Sequence, residues 1–294
     1  MSLDADPERT ARQHPPDLIQ AIEDGRAQLS PKLQTIAAHA LDHPERFIRD
    51  TSREICGALG TSEPTLIKFC QLFGYSGLSD FRIALALSHA RLARGGLVEP
   101  MADDRRRVNV AAKRAIAAAA GALVAEDRSL LIDNGSTAEL FAEQLGPDRP
   151  RTIMTTGLAV AQHALSHGVH EVMLTGGRIR PNAQVLTGRV VETVLASMRF
   201  DTFVMGADSV DPDLGLATFR EDEAHITRAM VDAAARVIVL ADRTKLLKPG
   251  LHRICDLDRV ETLVTDLPPS DPMIARIEER GVRVLLAPPK ESAP

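Results

Sequence analysis

The spacing of apolar residues changes partway along the chain. From Ser30 to Ala93 it is helical throughout. Leu33, Ile36, Ala37 and Leu41 follow a Ser30-Pro31 start at one-face helical spacing, and His43-Pro44 ends that helix. A further helix carries Phe81, Ala84, Leu85 and Leu87 to Leu92. Arg94-Gly95-Gly96 with Pro100 close behind is a boundary signal. Beyond it, Ala111–Ala125 reads as a long alanine-rich helix. Short apolar runs then alternate with helical segments. The runs are Leu130–Ile132, Thr152–Met154, Val172–Leu174, Phe203–Met205, Val237–Leu240, Leu263-Val264 and Val282–Leu286. Ser136–Leu145, Leu158–Ser166, Gly188–Met198 and Asp222–Ala234 are helices between them. Apolar runs without alternation, separated by helices, predict a mostly parallel sheet covered on both faces. The expected layout is a tail over residues 1–26, an all-α helix-turn-helix domain over 27–94 and a linker over 95–106. An α/β domain over 107–288 and a tail over 289–294 complete it.

Composition narrows the class. The chain has 294 residues, 44% hydrophobic and 26% charged, enough for two cores. Ala115–Ala125 is too short to span a bilayer, and Met1–Gln20 has no apolar stretch of the kind a secretory signal needs. Cys56, Cys70 and Cys255 lie far apart without metal-ligand spacing, so thiols in a reducing cytoplasm are expected, with no metal and no cofactor. The net charge is −5, yet Arg26 to Arg94 holds nine Lys and Arg against six Asp and Glu. That local excess permits DNA binding by the first segment. His163, His167 and His170 invite a metal reading, but only Glu171 joins them, and surface or helix-end histidines are the expectation.

Two regions carry candidate chemistry. In Ser52–Leu72 a first helix, Ser52–Leu59, turns Ile55 and Leu59 inward. Gly60 suits a left-handed turn, Ser62 an N-cap and Pro64 the first helical turn. The second helix turns Leu66, Phe69 and Cys70 inward and shows Ser62, Glu63, Thr65 and Lys68 outward. That face suits a major groove, although helix–Gly–helix spacing alone serves a plain helical hairpin equally well. Thr61 stands where an apolar residue usually packs in such a turn. In the α/β part, five loops follow strands. They are Asp133-Asn134-Gly135-Ser136-Thr137, Thr155-Thr156-Gly157, Thr175-Gly176-Gly177 running on to Arg180, Gly206-Ala207-Asp208, and Ala241-Asp242 running on to Lys245. Small polar residues and amides at C-terminal strand ends suit an anion, and Arg180 and Lys245 add cations.

Ser30–Ala93 resembles the RpiR-type winged helix-turn-helix. The likeness runs through Gly60-Thr61-Ser62-Glu63-Pro64-Thr65, Phe69-Cys70 and Phe73-Gly74-Tyr75. Lys68 stands where that family usually has Arg, and Cys56 where it usually has Ala. The resemblance implies DNA contacts at Ser52, Thr61, Ser62, Glu63, Thr65 and Lys68. Leu130–Leu286 is similar to the DeoR-type C-terminal sensor domain, through the loops above with Gly188, Gly215-Leu216, Glu221, Glu223-Ala224 and Arg228-Ala229-Met230. Thr156 and Asn134 depart from its usual residues. This resemblance implies a fold like ribose-phosphate isomerases and CoA transferases, binding a phosphorylated sugar. The expected effector contacts are Asp133, Asn134, Gly135, Ser136, Thr137, Thr155, Thr156, Gly157, Gly176, Gly177, Arg180, Gly206, Asp208, Glu223 and Lys245.

Together they imply a cytoplasmic transcription regulator, a repressor of a sugar or polyol operon. It would act as a homodimer or homotetramer on double-stranded DNA under a phosphosugar effector, with no catalytic residues and no membrane partner. Two alternatives stand beside it, an isomerase-like enzyme and a metabolite-binding module that assembles proteins. The isomerase has Asp-Gly-Ala-Asp and a later Lys-Gly-Gly run. Here Met205-Gly206-Ala207-Asp208 lacks the first acid, and Leu216-Ala217-Thr218-Phe219 lacks the lysine.

Overall fold

A computed structural model describes residues 17–92, 101–247 and 250–288. The expected tails at 1–16 and 289–294 and the linker stretch 95–100 lie outside the described residues. The chain divides into two compact units between Val108 and Asn109.

The first unit is helical. Its elements are α1 (Leu18–Gly25), α2 (Pro31–Asp42), α3 (Pro44–Arg49), α4 (Ser52–Leu59), α5 (Glu63–Leu72), α6 (Leu78–Leu92) and α7 (Ala102–Arg107). Pro31 and Pro44 open their helices, where a missing N–H costs nothing. Thr51 and Glu54 form a reciprocal cap at the start of α4: Thr51 Oγ1 accepts from the Glu54 amide, and Glu54 Oε2 accepts from the Thr51 amide at 2.7 Å. Phe47, Phe69 and Phe81 are fully buried, and the Phe81 ring lies 5.6 and 5.4 Å from the other two. Each such side chain contributes about 1.5–3 kcal/mol by leaving water.

Three expectations change here. Residues 18–25 are not a tail but α1, whose Leu18 and Ile22 are buried in the helical core and whose Leu18 amide donates to Ser88 Oγ at 2.8 Å. The expected linker contains α7, fixed to α6 by an ion pair between Arg82 and the buried Asp104 at 3.5 Å. Among the described residues this unit has no strand that could serve as a wing.

The second unit runs α8 (Val110–Gly121), β1 (Ser129–Ile132), α9 (Ser136–Glu143), β2 (Thr152–Thr155), α10 (Leu158–Ser166), β3 (Glu171–Leu174), β4 (Arg178–Arg180), β5 (Val185–Thr187) and α11 (Arg189–Ala196). It continues with β6 (Phe200–Gly206), β7 (Ser209–Asp211), β8 (Gly215–Thr218), α12 (Glu221–Asp232), β9 (Ala234–Leu240), β10 (His252–Cys255), β11 (Thr262–Thr265), α13 (Met273–Glu278) and β12 (Arg283–Leu286). Seven strands form one parallel sheet in the order β12-β11-β9-β6-β1-β2-β3. Successive residues point to opposite faces. Leu131, Phe203, Met205 and Val239 therefore join one buried cluster with α11 and α12, while Leu130, Ile132, Val204 and Ile238 join another with α8, α9 and α10. After β3 the chain returns past β1 to begin β6, so connections diverge between β1 and β6. Crevices at such points hold ligands in open α/β sheets. Two small antiparallel sheets, β4-β5 and β10-β8-β7, were not anticipated.

Candidate functional site

The helix-turn-helix forms with the predicted bounds. Gly60 closes α4 in the left-handed region, φ 58°, and the Thr61 amide donates to the Cys56 carbonyl. Ser62 occupies the N-cap of α5, but its hydroxyl pairs with Thr65 Oγ1 at 2.9 Å and not with the helix backbone. Ser62, Glu63 and Lys68 are exposed along the start of α5, and Ser52 and Thr65 are half-buried. Thr61 differs, because its Oγ1 is buried in the turn without a hydrogen-bond partner. Ile55, Leu66, Phe69 and Cys70 face the core, with Leu59 packed at its margin. The helix is thus held from behind and offers a polar leading face.

The five predicted loops meet at the C-terminal edge of the parallel sheet, following β1, β2, β3, β6 and β9. Asp133 stands where connections diverge. Its Oδ2 accepts from the Gly206 amide at 3.1 Å, and its Oδ1 accepts from Asn134 Nδ2 at 3.2 Å. Asn134 Nδ2 also reaches Thr156 Oγ1 at 3.3 Å, which ties the first loop to the second. Gly157 is required there: a Cβ would lie 2.9 Å from Asn134 Cα. Gly177, at φ 106°, would bring a Cβ within 2.6 Å of the Thr187 carbonyl. Thr137, Thr155, Thr156 and Thr175 are buried, while Gly135 and Ser136 open α9 beside them.

A charged cluster completes this edge. Arg180 on β4 pairs with Glu223 and, at 3.1 Å, with Asp222, both on α12. The Thr218 hydroxyl oxygen lies 2.9 Å from Asp208 Oδ2 and 3.0 Å from Glu223 Oε2, and its single proton serves one carboxylate at a time. Arg220 holds Asp222 from the other side at 3.0 Å. Burial opposes ionisation of Asp222, yet Arg220 and Arg180 hold its carboxyl below its ordinary value. Lys245 follows β9 on the same sheet edge, beside Asp242.

Asp133 is the strained acid. Loss of hydration raises its carboxyl from 3.8 to about 6, with Glu223 and Asp208 adding to the rise against two amide hydrogen bonds. Between those two values the folded chain keeps a proton that the unfolded chain has released, so this group makes stability fall as pH rises. Asp133→Asn is expected to gain melting temperature on the parent chain steadily from about pH 4 to pH 6. The difference should be level above that window, and calorimetry across it checks the slope.

Residues 108–267, more than half of the chain, match the family described as DeoR C terminal sensor domain. The chain belongs to the DeoR sensor-domain family. Residues 17–91 match the helix-turn-helix domain of the rpiR family, which takes in α1. The HTH-type transcriptional regulator GlpR of Haloferax volcanii is 31% identical over 60% of this chain and 69% of its own length. The glycerol-3-phosphate regulon repressor of Haemophilus influenzae is 24% identical over 80% of this chain and 90% of its own. Ribose 5-phosphate isomerase A from Neisseria gonorrhoeae superposes on 46% of this chain and 53% of its own, with a TM-score of 0.35 and 18% identity. That likeness is loose, and the fold rests on the strand order above.

A DNA-reading family in front of a DeoR sensor makes the chain a transcription regulator and not an enzyme. Met205 is buried in the apolar core of this DeoR domain. His163 and His167 lie at the end of α10, and His167 meets the Glu143 carbonyl and the His170 ring instead of a metal-ligand set. Among the described residues no group of three His, Cys, Asp or Glu could hold a metal ion. No described helix is long and apolar enough to cross a membrane.

Three participants escaped the sequence reading. Thr218, Arg220 and Asp222 belong to the charged cluster, yet each looks like an ordinary surface or strand residue in the sequence. The one available signal was the acidic run Glu221-Asp222-Glu223 framed by Arg220 at the start of a helix.

Proposed function

We propose that the protein is a cytoplasmic repressor of a sugar or polyol operon, released from its operator by a phosphorylated sugar or polyol. A homodimer or homotetramer sets two copies of α5 into successive major grooves, one duplex turn or roughly 34 Å apart. In the sensor, Arg180, Lys245 and the amides at the start of α9 receive the phosphate. The carboxylates of Asp133, Asp208 and Glu223 accept hydrogen bonds from sugar hydroxyls. The single observation that carries this reading is the convergence of cations, carboxylates and buried threonine hydroxyls on one sheet edge behind a helix-turn-helix.

Footprinting of the DNA upstream of the protein's own gene tests it, across glycerol 3-phosphate, ribose 5-phosphate and fructose 6-phosphate. A protected site that fades with one of these compounds is expected. A site-specific footprint absent under every salt and ligand condition would sink the reading. Lys68 is assigned to a phosphate on the DNA, since a point charge lacks the fork that reads guanine. Lys68→Ala should weaken binding across all sequences and reduce the slope of log K against log salt by about 1. An unchanged slope would show that Lys68 touches no phosphate.

A further inference from the structure

The helix that opens the sensor unit is fastened to one of the ligand loops by side chains that no part of the reading above uses. Asn109 precedes α8 in the left-handed region, φ 55°, ψ 35°. Its side chain does not cap α8. Instead, Asn109 Nδ2 donates to Asp242 Oδ1 at 3.3 Å and lies 3.5 Å from Thr244 Oγ1. Lys113, one helical turn further along the same face of α8, is buried and draws on the same carboxylate. Asp242 is itself only 3% exposed. Burial works against its ionisation, but Lys245, the Thr244 hydroxyl and amide, and Lys113 outweigh that and hold the carboxyl below its ordinary value.

Asp242 also caps the short turn Arg243–Lys245 by accepting from the Thr244 amide at 3.0 Å. The far side of that turn is pinned, because Asp266 accepts from the Arg243 amide at 2.6 Å and from its guanidinium at 3.2 Å. One carboxylate therefore joins the cation offered to the effector, Lys245, to the first turn of α8. On the other side of Val108, α7 is anchored in the reading unit by Asp104 and Arg82. The same Arg82 guanidinium donates to the carbonyls of Phe47 and Asp50, immediately before the Thr51 cap of the helix-turn-helix. Val108 and Asn109 are consecutive residues, the last of one unit and the first of the other.

We propose that Asn109, Lys113 and Asp242 form the latch through which occupancy of the effector site reaches the DNA reader. The proposal rests on the phosphosugar reading given above. An effector phosphate at Lys245 takes that ammonium from Asp242. The carboxylate then keeps Asn109, Lys113 and its own Thr244 as partners, its turn shifts about the Asp266 pin, and the backbone at Asn109 shifts with it. Asn109 is suited to this role because it tolerates the left-handed conformation while carrying an amide that can let go.

Asn109→Gly tests the latch, since glycine keeps that backbone conformation accessible and removes only the amide. The full chain is titrated onto its footprinted operator with and without glycerol 3-phosphate, ribose 5-phosphate or fructose 6-phosphate, and the binding of each compound is measured by calorimetry. In the parent chain the active compound is expected to change operator affinity by about 10-fold or more. In Asn109→Gly the compound should bind as before, and operator affinity without it should be unchanged, but the response should shrink to about twofold or less. Lys113→Met removes the second arm and is expected to shrink the response in the same direction, which decides the matter should the glycine variant fold poorly. A parent-like response in the folded variants overturns the latch while leaving the regulator reading intact. A parent chain that binds its operator and answers to none of the compounds overturns that reading and the latch together.

Discussion

Arg180→Met is expected to leave the protein on its operator whatever phosphosugar is added. The guanidinium is 13% exposed and balances Glu223 and Asp222, so its loss leaves acids facing one another in a half-buried cluster. Removing one partner of a buried pair costs about 3–5 kcal/mol, and the sensor's melting transition should fall accordingly. Effector affinity should drop roughly 100-fold, the equivalent of losing about 3 kcal/mol of charge-assisted hydrogen bonding. Arg180→Lys keeps the charge without the fork and should land between the two. The pair Arg180→Met with Glu223→Gln separates stability from recognition. Neutralising the stranded acid should recover most of the melting temperature and none of the effector binding. Effector affinity within twofold of the parent chain in Arg180→Met would remove Arg180 from the site.

Arg82→Leu should have the opposite signature, with the reader failing and the sensor intact. Arg82 is buried among Asp104 and the carbonyls of Phe47 and Asp50. Leucine fills part of the space but strands Asp104, which is 4% exposed, along with two carbonyls. The expected loss is again about 3–5 kcal/mol, a large share of what holds a small helical domain together. Scanning calorimetry should show an early transition for the reader, with the later one unmoved. Operator binding should vanish at the temperature of that first transition, while effector binding measured by calorimetry continues. A single unshifted transition would show that Arg82 is not the clamp.

Both predictions turn on arginines whose roles differ in legibility. Arg180 was marked by its position after a strand and a Gly-Gly turn, where cations meet anions. Arg82 was hidden, because one arginine between Phe81 and Ala84 looks like a helix surface position until α3 and α7 close over it. The parallel strands were legible for a simple reason. Strands covered on both faces are apolar throughout, and Leu130–Ile132 or Val237–Leu240 can be little else. Strands β4 and β7 were not, since Arg178-Ile179-Arg180 and Ser209-Val210-Asp211 are three-residue polar stretches that become strands only by folding back on β5 and β8 in tight hairpins. Helix α1 was missed because eight residues with three large aliphatics do not announce a helix. It becomes one through tertiary contacts of Leu18 and Ile22. The turn at Gly60 was legible because the left-handed backbone demands that residue. The hydroxyl pair of Ser62 and Thr65 was not, because the same residues also suit an ordinary cap.

In the proposed regulator, one phosphorylated compound and one stretch of DNA compete through this chain. The most direct measurement is fluorescence anisotropy of a labelled operator titrated with the protein at fixed salt, with and without each phosphosugar, paired with calorimetry of the same compound on free and operator-bound protein. One compound is expected to weaken operator binding, and the operator to weaken that compound's binding by the same factor, as linkage requires. Operator affinity indifferent to every compound, or a compound that binds equally well to free and DNA-bound protein, would contradict it.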